Sequence, residues 1–81
     1  LACWAENQRL RHCDVADLHH LAVLAFRAGE RAASYPDCQA ANDRATAAFE
    51  KKAVELGYTV RWPGLWPTLV RDGKEVYLPA A

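Results

Sequence analysis

Charge imbalance is missing from this sequence. Its 81 residues carry 10 Lys and Arg against 10 Asp and Glu, a formal net charge of zero at pH 7. Such a chain lacks the broad attraction that draws proteins non-specifically to nucleic acid or anionic membranes, so neither is expected as a partner, although a local basic patch is still allowed. Serine is almost missing: Ser34 is the only one and falls in a predicted turn, far from the arrangement of nucleophile, base and orienting group that covalent catalysis needs. Cysteine is sparse. Cys3, Cys13 and Cys38 are odd in number, lack C-x-x-C spacing and lie in helical sequence, which excludes a disulfide framework and points to a reducing compartment. No apolar run approaches the roughly 20 residues that span a bilayer, and Leu1 to Ala5 is too short and wrongly flanked for a signal peptide. A cytoplasmic location is therefore expected. Neither G-x-G-x-x-G nor G-x-x-x-x-G-K-[ST] occurs, so nucleotide phosphates have no recognised cradle and no cofactor is implied.

What the chain does have is a hydrophobic fraction of 52% with 3 tryptophans, enough for one modest core. The stretch from Gly57 to Leu78 concentrates two of those tryptophans, Trp62 and Trp66, among turn signals. Tyr58, Val60 and Trp62 alternate with Thr59 and Arg61, the period-two pattern of a half-buried strand. Pro63-Gly64 breaks that strand, and Asp72-Gly73 between Thr68 to Arg71 and Lys74 to Leu78 predicts a two-residue hairpin turn. The register that opposes Leu69 to Val76 and Thr68 to Tyr77 is preferred, at the cost of placing Arg71 across from Lys74.

Upstream the period changes to that of helices. Residues 1–13 read as a helical arm, with a kink or break expected near Asp14. From Val15, the residues Leu18, Leu21, Ala22, Ala25, Phe26, Ala28, Gly29 and Ala32 fall on one broad face, as a core-facing helix requires. Ser34-Tyr35-Pro36 ends that helix, because the residue before proline is pushed out of helical geometry. A second helix over about Asp37 to Leu56 places Cys38, Ala41, Ala45, Ala48, Phe49, Ala53 and Leu56 on one stripe, and Gly57 provides a left-handed C-cap. The expected fold is α+β. A helical hairpin over 14–56, preceded by the arm, packs on a three-stranded antiparallel meander over 57–81, in a single domain 1–81 of order ααβββ.

Candidate chemistry is thin. Cys13, Asp17 and His20 at i, i+4 and i+7 line one helix face and offer ligands to a metal such as zinc, but without a fourth ligand or zinc-finger spacing; none is expected to bind. His19 and His20 point about 100° apart on a helix, cannot serve one proton, and read as exposed. The chain is not expected to be an enzyme. Arg61, Arg71 and Lys74 beside Trp62, Trp66 and Tyr77 suggest a basic sheet with stacking rings, the alternative in which a small accessory domain binds single-stranded nucleic acid. So small a domain, however, needs its aromatics inside.

The segments Glu55-Leu56-Gly57-Tyr58, Trp62-Pro63-Gly64-Leu65-Trp66-Pro67, Asp72-Gly73 and Tyr77-Leu78-Pro79 resemble the ends of small uncharacterised accessory proteins of bacteriophages and prophages. The resemblance covers the last third of the chain and carries no catalytic residue with it. It implies an accessory protein of a mobile element, acting in the host bacterial cytoplasm by binding and blocking a host factor, as anti-CRISPR proteins do. A structural or assembly component of a phage particle is a further alternative. The surface expected to meet a host protein or a second copy is read from the residues. Leu21 to Phe26 is apolar nearly all round its helix, and Val23 and Leu24 point away from the core face. With Arg27 and Arg31 beside them, and Leu65 and Trp66 of the Trp-Pro loop, they form the candidate interaction surface.

Overall fold

A computed structural model describes residues 2–79; Leu1, Ala80 and Ala81, which the domain limits 1–81 include, lie outside the described residues. Three helices precede a small sheet: α1 (Ala2–Asn7), α2 (His12–Ser34), α3 (Gln39–Glu55), β1 (Thr59–Arg61), β2 (Thr68–Arg71) and β3 (Lys74–Tyr77). The sheet is an antiparallel meander in the order β1-β2-β3, and the α2–α3 hairpin covers one of its faces. The fold is α+β, as the pattern of helical and alternating segments requires.

The expected helical arm divides in two. Arg9 takes a left-handed conformation, φ 57°, while the Leu10 N–H reaches the Ala5 carbonyl at 2.9 Å and the Arg9 N–H that of Glu6 at 3.1 Å. Together these bonds form a Schellman ending for α1, with arginine where glycine is usual. The break thus falls at 8–11, ahead of Asp14, which sits instead in the first turn of α2. Arg11 provides the N-cap without a side-chain cap bond. The acidic Asp14 still suits the positive end of the helix.

At the other end of the hairpin the chain follows its sequence closely. Tyr35 is extended ahead of Pro36, and a single 3₁₀ turn at Pro36–Cys38 leads into α3. Gly57, at φ 92°, closes α3: the Tyr58 N–H bonds to the Ala53 carbonyl at 2.9 Å and the Gly57 N–H to that of Val54 at 3.0 Å. This second Schellman motif turns the chain into β1 and delivers Tyr58 to the core.

Leu18 and Ala22 of α2, Phe49 and Ala53 of α3, and Tyr58, Leu69 and Leu78 from the sheet region form the buried cluster. Trp62, half-buried at the edge of that cluster, meets Phe49 edge-on at 5.8 Å and donates its indole N–H to Glu50 at 2.7 Å. The stripe expected on α3 is corrected at Ala41 and Ala48, which are exposed, while Ala45 on that stripe is half-buried. α3 lies against β1 as well as α2, and Phe49 and Ala53 are its fully enclosed residues.

The hairpin register is the one that pairs apolar with apolar. Leu69 faces Val76, Thr68 faces Tyr77 and Arg71 faces Lys74, with Asp72 at φ 54° and Gly73 at φ 75° forming the turn. The like-charge pair is relieved because Arg71 leans over the Tyr58 ring, 5.3 Å from its centroid.

Candidate functional site

The candidate surface is built on α2. Facing the core are Val15, Leu18, Ala22, Ala25 and Gly29, all buried. On the far side Leu24 is 43% exposed, and Arg27 and Arg31 are exposed one turn apart. Among the described residues neither arginine has an ion-pair partner, whereas Arg11, Lys52 and Arg61 each do. Val23 departs from expectation. It is half-buried at the edge of a cleft of about 380 Å³ formed with Phe26, Arg27 and Trp66.

Trp66 explains that cleft. Its indole N–H donates to the Leu78 carbonyl at 3.0 Å, and its ring lies edge-on to both His19 at 6.0 Å and Phe26 at 6.2 Å. The Trp-Pro loop is therefore folded against α2, which places Trp66 in one cleft with Val23 and Arg27. Leu65 follows the same course. It is 42% exposed, and a Cβ placed on Gly29 would lie 2.8 Å from its Cδ2, so the end of the Leu65 side chain rests on Gly29 and would have to turn aside for a methyl there. His19, expected to be exposed, is half-buried here; His20 is exposed.

On the opposite flank of α2 a second cleft of about 230 Å³ lies against α3, lined by Leu24, Arg27, Ala28, Arg31, Cys38 and Ala41. Arg27 thus stands on the ridge between these two depressions and lines both. The small side chains Ala28 and Ala41 leave this second depression open. Helical periodicity alone does not show it, because it depends on which residues of α3 lie opposite.

The remaining sequence candidates are placed elsewhere. Arg61 pairs with Glu75, which also accepts the Tyr77 hydroxyl at 2.7 Å; that hydrogen bond raises the Tyr77 phenol above its ordinary range. Arg61 and Tyr77 share the outer face of the sheet, since both flank Thr68 in the register. Trp62 and Trp66 pack toward the helices on the other side. The grouping of rings with basic residues on one sheet face is thereby corrected: the side chains divide between two faces, and Arg71 is spent on Tyr58. Cys13, Asp17 and His20 are exposed, Asp17 lies 3.9 Å from Lys52, and among the described residues no three metal-ligating side chains gather. No helix among these residues is long and apolar enough to cross a membrane.

The N-terminal arm packs on the domain through Trp4 and Leu10, and sequence reasoning did not show which partners its polar groups find. Trp4 donates its indole N–H to the Tyr77 carbonyl at 3.1 Å, and Gln8 accepts the Tyr58 hydroxyl at 3.0 Å. The arm thus docks beside β3 and leaves Val23 and Leu24 uncovered. Compared with protein-family models, curated proteins and solved structures, the chain finds no match.

Proposed function

We propose that this chain is a non-enzymatic protein-interaction module, a phage-derived modulator that binds and blocks a component of a host system, such as a bacterial defence complex, in the host cytoplasm. The observation that supports the reading is the outer face of α2. An exposed Leu24, two unpaired arginines and the adjoining Val23–Trp66 cleft form one continuous surface that no other element of the described chain covers. Isolated exposed leucines are ordinary, but apolar groups clustered beside arginine and tryptophan have the composition of binding hot spots.

Site-specific photo-crosslinking tests the reading. A photoreactive residue at position 24 should capture a discrete species in a bacterial host, either a host protein or a second copy of the chain, while the same residue at the exposed position 51 of α3 should not. Equal capture at both positions, or none at position 24, would overturn the assignment of this face.

A further inference from the structure

On the reading of α2 as a docking face, we infer that its occupant is an acidic amphipathic helix that crosses α2, placing one apolar side chain in each cleft and a carboxylate over Arg27. Three observations carry this. The first is charge: Arg27 and Arg31 are exposed, one turn apart and unpaired, with Glu30 the one carboxylate lining the depressions around them. Arg9, Arg44, Lys51 and Lys74 also have no ion pair among the described residues, but Arg27 and Arg31 are the ones that line the apolar clefts of α2, so they are the groups that carboxylates of a partner seated there would neutralise. Guanidinium is the cation best suited to do so at an interface, since it is weakly hydrated and binds carboxylate in a fork.

The second observation is volume. The cleft walled by Val23, Phe26 and Trp66 measures about 380 Å³, ample for an aromatic ring given that a cavity of about 150 Å³ accepts benzene. The cleft against α3 measures about 230 Å³, room for an apolar side chain but the smaller of the two, so the bulkier anchor is assigned to the other. The third observation is spacing. The clefts lie on either flank of α2, and a helix with its side chains is about 10 Å across. Seven residues of helix rise about 10.5 Å, so an occupant with apolar anchors at i and i+7 spans the ridge and brings i+3 and i+4 over Arg27. Those two positions are where its carboxylates belong. A basic helix of the same apolar pattern would set cation against cation in a partly desolvated contact, which is strongly unfavourable.

The probe is a labelled helical peptide of about 15 residues, long enough to hold some helix alone, with Phe at i, Glu at i+3 and i+4, and Leu at i+7. Its control carries Lys in place of both Glu. By fluorescence anisotropy the native chain should bind the acidic peptide at least about tenfold more tightly than the basic one, a difference of about 1.4 kcal/mol. Arg27→Glu, at an exposed position and checked for unchanged circular dichroism, should reverse that preference. Equal binding of both peptides, binding of neither, or a preference unaltered by Arg27→Glu overturns the inference. Photo-capture at position 24 is a separate readout. If it succeeds while the peptides fail, the face is an interface for a partner of other chemistry; if both fail, the docking reading itself is lost.

Discussion

Lys52 reaches across from α3 to set its ammonium 3.1 Å from Asp14 Oδ1 in the first turn of α2. Asp14 is 8% exposed, and the Arg11 guanidinium contacts its other oxygen at 3.2 Å. Hydrogen bonds from Arg11 and then from Lys52 hold the Asp14 carboxyl below the ordinary carboxylate range, and the same contact raises the Lys52 ammonium. Because Asp14 is depressed in the folded state, its contribution is present above about pH 4, where the unfolded carboxyl is ionised, and is lost as pH falls through the folded value. For Lys52 the sign is opposite: its contribution is complete below the unfolded value and fades in strong alkali.

Thermal melts from neutral to acid pH test this pair. The native chain should lose melting temperature as pH drops below about 4, and Asp14→Asn should start lower at neutral pH and show a shallower acid limb. Lys52→Met should cost more than Arg11→Ala, because the Lys52 side chain is 23% exposed and that of Arg11 79%, and exposed partners are screened by water. An Asp14→Asn curve that overlays the native one would mean the pair does not link the helices.

Arg9 is held at φ 57°, where side chains other than glycine are disfavoured by about 1 to 2 kcal/mol. Arg9→Gly removes that strain but frees the unfolded chain, which takes back about 0.4 to 1 kcal/mol. The net expectation is stabilisation of between zero and about 1.6 kcal/mol, read from urea denaturation. Destabilisation would indicate that α1 does not end in the left-handed geometry described.

Gly29 and Leu65 are coupled through the 2.8 Å approach that an added Cβ would make. Within a helix Gly→Ala is worth about 1 kcal/mol, but here the new methyl must push the Leu65 side chain outward. A double-mutant cycle separates the two effects: Gly29→Ala should deliver nearly the full gain in a Leu65→Ala background and clearly less in the native one. Equal gains in both backgrounds would show that the Trp-Pro loop does not rest on α2.

Where neighbours in the chain determine the geometry, the sequence was readable. Asp72-Gly73, Gly57 and Pro36 act through their own backbone preferences, so the hairpin register, the end of α3 and the interhelical turn follow from local residue types. The face of α2 was readable for the same reason, from its period. Arg9 was not, because a left-handed arginine carries no local signal. His19 was misplaced because it packs against Trp66, more than forty positions away in sequence, and Val23, Ala41 and Ala48 because their exposure depends on which elements lie alongside, which helical period alone does not show. Of the candidate surface, Leu24, Arg27 and Arg31 were legible from helical phase alone; the clefts on either side of them depend on which elements pack alongside.

Val23 and Leu24 then divide in their consequences. Leu24 is exposed, and α1 docks through Trp4 onto β3, which rules out the arm as its cover. Leu24→Lys and Leu24→Asp should therefore each leave stability within about 0.5 kcal/mol of the native chain. Val23→Asp should cost more, since it sets a carboxylate beside Phe26 and Trp66. If the outer face of α2 is the interface, both Leu24 variants lose the apolar contact and weaken association. They will not do so equally when the partner is acidic: aspartate adds repulsion and lysine adds attraction, so Leu24→Asp should bind more weakly than Leu24→Lys. Affinity for the species captured at position 24, measured alongside thermal melts, resolves this. Unfolding of either Leu24 variant would make the residue part of the core, and unchanged binding by both would place the interface elsewhere.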